Sequence, residues 1–261
     1  MRYFLTFQYK GTAYHGWQIQ PNAKTVQEEL QQAMEVILRE KVELTAAGRT
    51  DTGVHAKRMV AHFDCDENLV IDKIKFKLNS YLGKDISILG LRAVSSDAHA
   101  RFDALSRTYH YKIHFSKNPF LKEFSYRIPF DLDFIKMNEA ASLLLGKKDF
   151  SCFSKSNTQT YTNDCEIFKA EWKKENDFWC FEIKANRFLR NMVRAIVGTL
   201  IEIGQGKRSV ESLKELIDSK DRSAAGSSVP AHGLYLIDID YPNKNPIEVM
   251  DSSSDIPLKI V

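Results

Sequence analysis

The chain has 261 residues, of which 43% are hydrophobic and 27% charged, and it carries a net charge of +3. That length suits two packed domains or one large sheet, the composition is that of a soluble globular protein, and no apolar run approaches the roughly 18 residues of a membrane span. So small a charge does not demand a polyanionic partner, but permits one if Lys and Arg cluster on one face.

Residues 2–9 alternate and read as a first strand, with no small-residue cleavage site. A signal peptide is therefore not expected, and a cytoplasmic protein is. The loop 10–18 is rich in glycine and aromatics. Its Tyr14 and Trp17 suit base stacking, but a place at the edge of the core is the slightly preferred reading. Thr25-Val26-Gln27-Glu28 has capping-box spacing. Val26, Leu30, Ala33, Ile37 and Leu38 then give one apolar face to a helix ending near Lys41. Strands are expected at 42–45, 58–64 and 86–94, and a helix at 72–82. The polar stretch 95–104 marks a domain seam.

Beyond it the layout repeats loosely. Tyr109, Tyr111, Ile113 and Phe115 alternate along a strand, and Asp133 caps a helix using Ile135, Ala140, Leu143 and Leu144. Strands at 166–173 and 178–185 flank a turn at Glu175-Asn176-Asp177. A long helix is expected from Arg187 to Ile203, then a shorter one capped by Ser209, then a last strand at 234–241. The expected fold is α+β: two similar α/β halves with mainly antiparallel sheets, helices packed on one face and an active-site cleft between the halves. The boundaries fall at 1–103, 104–241 and a proline- and serine-rich tail, 242–261.

The four cysteines, Cys65, Cys152, Cys165 and Cys180, form no C-x-x-C pair and have no histidine pair at zinc spacing. They read as small buried residues in a reducing compartment, and no metal is expected.

Three segments carry chemistry. The first is Ala46-Ala47-Gly48-Arg49-Thr50-Asp51-Thr52-Gly53-Val54-His55-Ala56, a carboxylate and a guanidinium between two glycines in a loop. Its plain reading is a turn in which Asp51 bonds its own backbone; its functional reading is a catalytic carboxylate that glycines let a ligand approach. His55 reads first as a structural hydrogen bond. The second is the expected helix from Arg187, where Arg187, Arg190 and Arg194 share one face opposite a packed one. Such a face is either solvated, or grips phosphate. A partly buried Arg there needs a carboxylate, and Asp51 is the obvious one. The third is Arg101-Phe102 through Arg107-Thr108-Tyr109-His110-Tyr111, where basic residues interleave with aromatics that can stack on bases or simply face inward.

These residues resemble the TruA family of tRNA pseudouridine synthases. The likeness lies in Tyr14-His15-Gly16-Trp17-Gln18, Gly48-Arg49-Thr50-Asp51-Thr52-Gly53-Val54-His55-Ala56, His99-Ala100-Arg101-Phe102, Arg107-Thr108-Tyr109-His110-Tyr111, Arg190-Asn191-Met192-Val193-Arg194 and Gly233-Leu234-Tyr235. It runs in order from about residue 2 to 241 and omits the tail. It implies an isomerase that converts uridine to pseudouridine at positions 38, 39 and 40 of the tRNA anticodon stem-loop, as a homodimer without metal or organic cofactor. It further implies Asp51 as nucleophile, Tyr109 stacking on the target base, Arg194 pairing with Asp51, and Arg49 assisting base flipping. His55, Arg107, Arg187, Arg190 and Leu234 complete the substrate-binding set. One departure is that Thr108 separates Arg107 from Tyr109, where many members have two basic residues.

The chemistry agrees. Turning a uridine over breaks C1′–N1 and makes C1′–C5, with no redox step and no group brought from outside. A carboxylate can attack C1′ or C6, or assist a glycal route; the sequence does not choose among them. Two other readings are a tRNA-binding protein without catalysis, which has no need of the lone carboxylate, and a metal-dependent phosphoesterase using Asp51, His55, His62 and Asp64.

Overall fold

Alternation and helical periodicity become ten strands and five α-helices in a computed structural model that describes residues 1–66, 68–155 and 161–242. In chain order these are β1 (Arg2–Tyr9), α1 (Val26–Leu38), β2 (Thr45–Ala46), β3 (His55–Asp64), α2 (Ile71–Tyr81), β4 (Ile86–Val94), β5 (Ser106–His114), β6 (Tyr126–Arg127), α3 (Phe134–Ser142), β7 (Gly146–Asp149), β8 (Asp164–Glu175), β9 (Phe178–Ala185), α4 (Met192–Gly204), α5 (Ser212–Ser219) and β10 (Leu234–Asp240).

All ten strands join one sheet, ordered β4-β1-β3-β10-β5-β9-β8-β7, with β2 on β3 and β6 on β5. The sequence β1-α1-β3-α2-β4 is matched by β5-α3-β9-α4-β10, and each half places its first strand between its last and its middle one. β8 and β7 extend the second half. Pairing is antiparallel except for β6 on β5 and for the junction of the halves, where β10 lies parallel to β3 through Tyr235–His55 and Leu236–Ala56. This is an α+β fold with a mainly antiparallel sheet.

Two hydrophobic clusters lie on either side of that junction. One packs Tyr3, Leu5 and Phe7 of β1 on Val26, Leu30 and Met34 of α1; the other packs Tyr111, Phe181 and Ile183 on Ala195, Ile196 and Leu200 of α4. Tyr109 packs against both clusters, because β5 is next to the junction strand. Tyr14 and Trp17 are buried in the first cluster, so their place is the core. The cysteines are all buried, and burial pushes the Cys152, Cys165 and Cys180 thiols up to about 12, 11 and 12.

Two caps form as the sequence expects. Thr25 accepts a bond from the Glu28 N–H, and Asp133 from those of Ile135 and Lys136. Several boundaries differ; α1 stops at Leu38, short of Lys41, and α5 starts at Ser212, after Glu211 and not Ser209. The strand expected at 42–45 is only the two-residue β2, and β3 begins three residues early, at His55. The helix expected from Arg187 begins at Met192, because Asn191 sits in the left-handed region at φ 65° and breaks the helical path. Asn tolerates that conformation better than most residues. Arg187 and Arg190 are therefore on the segment entering α4, and the shared helical face drawn through them does not exist. Apart from Pro242, the expected tail lies outside the described residues.

Candidate active site

Residues 47–54 link β2 to β3 across the junction of the halves. The aromatic loop after β1 braces them from beneath. Trp17 N–H donates to Thr50 O at 3.1 Å, Gly53 N–H to Tyr14 O at 3.3 Å, and Gly11 N–H to His55 Nδ1 at 3.1 Å. The Tyr9 hydroxyl bonds the Thr50 hydroxyl at 2.8 Å. These contacts need glycine: a Cβ on Gly11 would stand 2.0 Å from Val54 O, and one on Gly16, itself at φ +87°, 2.4 Å from Thr50 O. The loop 10–18 is thus a backbone brace that fixes where Asp51 points.

The Asp51 main-chain carbonyl closes a turn with the Val54 N–H at 3.2 Å. Its carboxylate instead faces two guanidiniums. Arg194 Nη1 lies 3.5 Å from Oδ2, and Arg190 Nε lies 3.9 Å from Oδ1. Both separations exceed a direct N–H···O bond, so cations oppose the carboxylate without locking its oxygens. The Arg194 side chain is 21% exposed and that of Arg190 59%, which makes Arg194 the more desolvated, and so the more strongly felt, of the two charges.

Arg194 is itself anchored. Its Nε donates to Val229 O at 2.7 Å, while Val229 N–H donates back to Arg194 O at 3.2 Å. Segment 226–229 can run this close to α4 only because Gly198 is there: a Cβ would meet Ser227 O at 1.9 Å. Thr199 Oγ1 accepts the Gly226 N–H at 3.0 Å and holds the same contact. Arg190 is fixed through its carbonyl, which accepts the Lys155 N–H at 3.1 Å. Val229 carries no signal in the sequence, because its role is played by a carbonyl that every residue has.

Tyr109 sits half-buried beside this group, with its ring edge-on to Phe188 at 5.2 Å and 88°. Burial pushes its hydroxyl up to about 12, and the Asp51 charge pushes in the same direction. The phenol is therefore neutral near pH 7, and the ring is an apolar surface next to the carboxylate. Leu234 is buried opposite Tyr111, and Arg49 is exposed at the loop surface. Arg187 is half-buried on the approach to α4.

Arg107 has a different environment from that of a phosphate contact. Its Nη1 donates to Ala104 O at 2.9 Å and Asn186 O at 2.8 Å, and its Nη2 to Ala47 O at 3.0 Å and Arg101 O at 2.7 Å. It ties the start of the Asp51 loop to the end of β9 and to the loop before β5. His55 is 2% exposed. Its Nδ1 accepts the Gly11 N–H, so Nε2 carries the proton shared with Glu123 O at 3.0 Å and His232 O at 3.2 Å. Both nitrogens are spent on backbone, and burial lowers its pKa.

The histidines and carboxylates of the phosphoesterase reading are not assembled. His62 accepts the Ala100 N–H at 3.2 Å, and Asp64 is paired with Arg2 at 2.8 Å. Among the described residues, the group with metal-ligand chemistry is His110, Glu175 and Cys180, within 4.8 Å of one another. Lys112 lies directly across the ladder from Cys180, and its charge opposes a cation there.

A carboxylate faced by two arginines thus stands beside an aromatic ring where the two halves of the sheet meet. The family model described as "tRNA pseudouridine synthase" matches residues 5–103 and 140–242. The chain belongs to the tRNA pseudouridine synthase family, and it is an enzyme of the isomerase class, since pseudouridine and uridine contain the same atoms. It is similar to tRNA pseudouridine synthase A of Bacteroides fragilis, 51% identical over 93% of this chain and 97% of that one. The proteins of the same name from Bacillus pumilus and Francisella tularensis subsp. novicida are each 40% identical, over 93% and 92% of this chain and 100% and 94% of theirs. No helix among the described residues is long and apolar enough to cross a membrane.

Proposed function

We propose that this chain converts uridine to pseudouridine in the anticodon stem-loop of tRNA, at positions 38, 39 and 40, with Asp51 as the nucleophile. The observation that carries the reading is the Asp51 carboxylate facing Arg194 at 3.5 Å and Arg190 at 3.9 Å, on a loop braced from both halves. A uridine buried in a stem must first leave its stack, which costs a few kcal/mol, and an aromatic surface recovers part of that. Tyr109 supplies the surface, and Arg49, exposed on the Asp51 loop, fills the space the base leaves. Asp51 then bonds to C1′ or C6 of the freed nucleoside, or takes the C2′ proton on a glycal route, and that bond is broken, or that proton returned, before the product leaves. The C1′–N1 bond breaks, the base turns, C1′–C5 forms, C5 loses its proton and N1 gains one. Nothing is oxidised or reduced, so the chemistry calls for no organic cofactor.

Arg194 offsets the carboxylate charge, and Arg187 and Arg190 bind phosphates of the RNA. Homodimer formation, with one tRNA touching both subunits, is part of the same proposal, as is the division into catalytic halves at residues 103 and 104.

The test is to treat tRNA transcripts with purified protein and map pseudouridine. Modification at 38, 39 and 40 is expected from the natural chain. Asp51→Asn is expected to bind tRNA and form no product; full turnover by that variant would remove Asp51 as nucleophile. Activity at other uridines alone would correct the position.

A further inference from the structure

The loop before β5 holds an apolar ring out in water on a rigid frame. Phe102 is 75% exposed and Leu105, three residues on, is 56% exposed. Single exposed hydrophobics are ordinary; a loop built to keep one exposed is not. His99 Nδ1 accepts the N–H groups of Arg101 and Phe102 at 3.1 and 3.3 Å, and the His99 N–H donates to Asp103 Oδ2 at 2.8 Å. Asp103 N–H returns to His99 O at 3.0 Å. The His99 ring backs the Phe102 ring at 4.2 Å and 31°. The next contacts fix the loop to the body: Ala100 N–H donates to His62 Nδ1 at 3.2 Å, and the Tyr241 hydroxyl to Ala100 O at 2.6 Å.

The frame also sets its place. One nitrogen, Arg107 Nη2, donates both to Arg101 O and to Ala47 O. The main chain of Arg101 is therefore a single guanidinium away from the strand end that runs through Gly48 and Arg49 to Asp51. Charge selects the partner. The cation set against the ring is Arg101, exposed, with its guanidinium 5.7 Å from the Phe102 ring; Asp103 accepts the His99 N–H in closing the turn. A second copy meeting this loop with its own would set arginine against arginine, whereas RNA brings both phosphates and flat rings.

We propose that Phe102 and Arg101 form a second RNA contact on the rim of the site, Phe102 stacking on a nucleobase and Arg101 meeting a neighbouring phosphate. This rests on the tRNA reading above. Held on the frame of Arg107, the contact fixes the register of the RNA relative to Asp51 while the target base is out of its stack.

The experiment compares Phe102→Ala, Phe102→Leu and Phe102→Trp in steady-state pseudouridine formation on a tRNA transcript, with tRNA binding and sedimentation measured in parallel. Phe102→Ala is expected to raise KM and Kd by about 10- to 100-fold, the range of one lost base–aromatic stack, with kcat changed less than about threefold. Phe102→Trp restores binding and Phe102→Leu does not, because stacking needs a flat ring. Wild-type KM in Phe102→Ala overturns the proposal, as does rescue by Phe102→Leu. Dissociation of an oligomer with tRNA affinity unchanged overturns it in favour of a protein contact. If the natural chain fails to modify tRNA at all, the broader reading fails instead, and the two failures are distinct.

Discussion

Arginine at position 194 is asked to do two things at once: its Nε is bonded to Val229 O and its Nη1 faces Asp51. A lysine has one charged nitrogen and cannot span both. Arg194→Lys is therefore expected to keep the fold and lower single-turnover kcat by at least about tenfold, a loss of roughly 1.4 kcal/mol of transition-state stabilisation. Arg107 makes four bonds to carbonyls drawn from three segments. Removing it leaves three part-buried acceptors unpaired, and Arg107→Ala is expected to lower unfolding free energy by about 2–3 kcal/mol in denaturant titration. His62 gives a pH dependence. It is buried, and burial first, then the nearby His99 and Arg2, lower its pKa to about 4 from the ordinary 6.5. The unfolded chain then binds the proton more readily than the folded one between those values. Stability is whole above pH 6.5 and is lost as pH falls toward 4, by up to about 3 kcal/mol for this group. Thermal unfolding at pH 7.5 and pH 5 checks this; a His62→Asn variant is expected to lose less on acidification than the natural chain.

At the level of elements, the approach of segment 226–229 to α4 is what sets the arginine. Gly198→Ala would drive a Cβ into Ser227 O and push the two apart. Overpacking of this kind costs about 1–3 kcal/mol, and here it also shifts Val229, so both Tm and kcat are expected to fall. Asp133→Ala is the control. It removes the N-cap of α3, away from the Asp51 loop, and is expected to lower Tm while leaving kcat unchanged. Comparing the two variants by calorimetry and turnover separates stability from positioning. The elements also show where pattern fails. The periodicity from Arg187 to Ile203 is continuous in sequence, yet Asn191 ends it, because one residue in the left-handed region outweighs five residues of propensity.

The whole molecule turns on β10. It comes last among the described strands and pairs with both β3 and β5, so Leu234–Asp240 closes the sheet between the halves. Leu236, 1% exposed, packs in the first cluster from a strand that closes the second half. Leu236→Ala is expected to cost about 2–5 kcal/mol and to loosen the seam on which Asp51, Tyr109 and Arg194 meet. Hydrogen exchange should show the extra loss of protection in β3 and β5 together, rather than in one half.

Much of this was written in the residues themselves. The turn chemistry around Asp51, the caps at Thr25 and Asp133, and the alternation of β1 and β5 are local, and local propensities decide them. The family likeness is likewise a property of motifs. The tertiary structure decided the rest. It moved Arg187 and Arg190 off the helix, gave Tyr14 and Trp17 to the core, spent both nitrogens of His55 on backbone groups and spent most of the Arg107 guanidinium on backbone carbonyls. It also brought Arg194 to Asp51 from the far half. These outcomes depend on which strands pair and on which carbonyls come near, and neither is a property of any short stretch of chain.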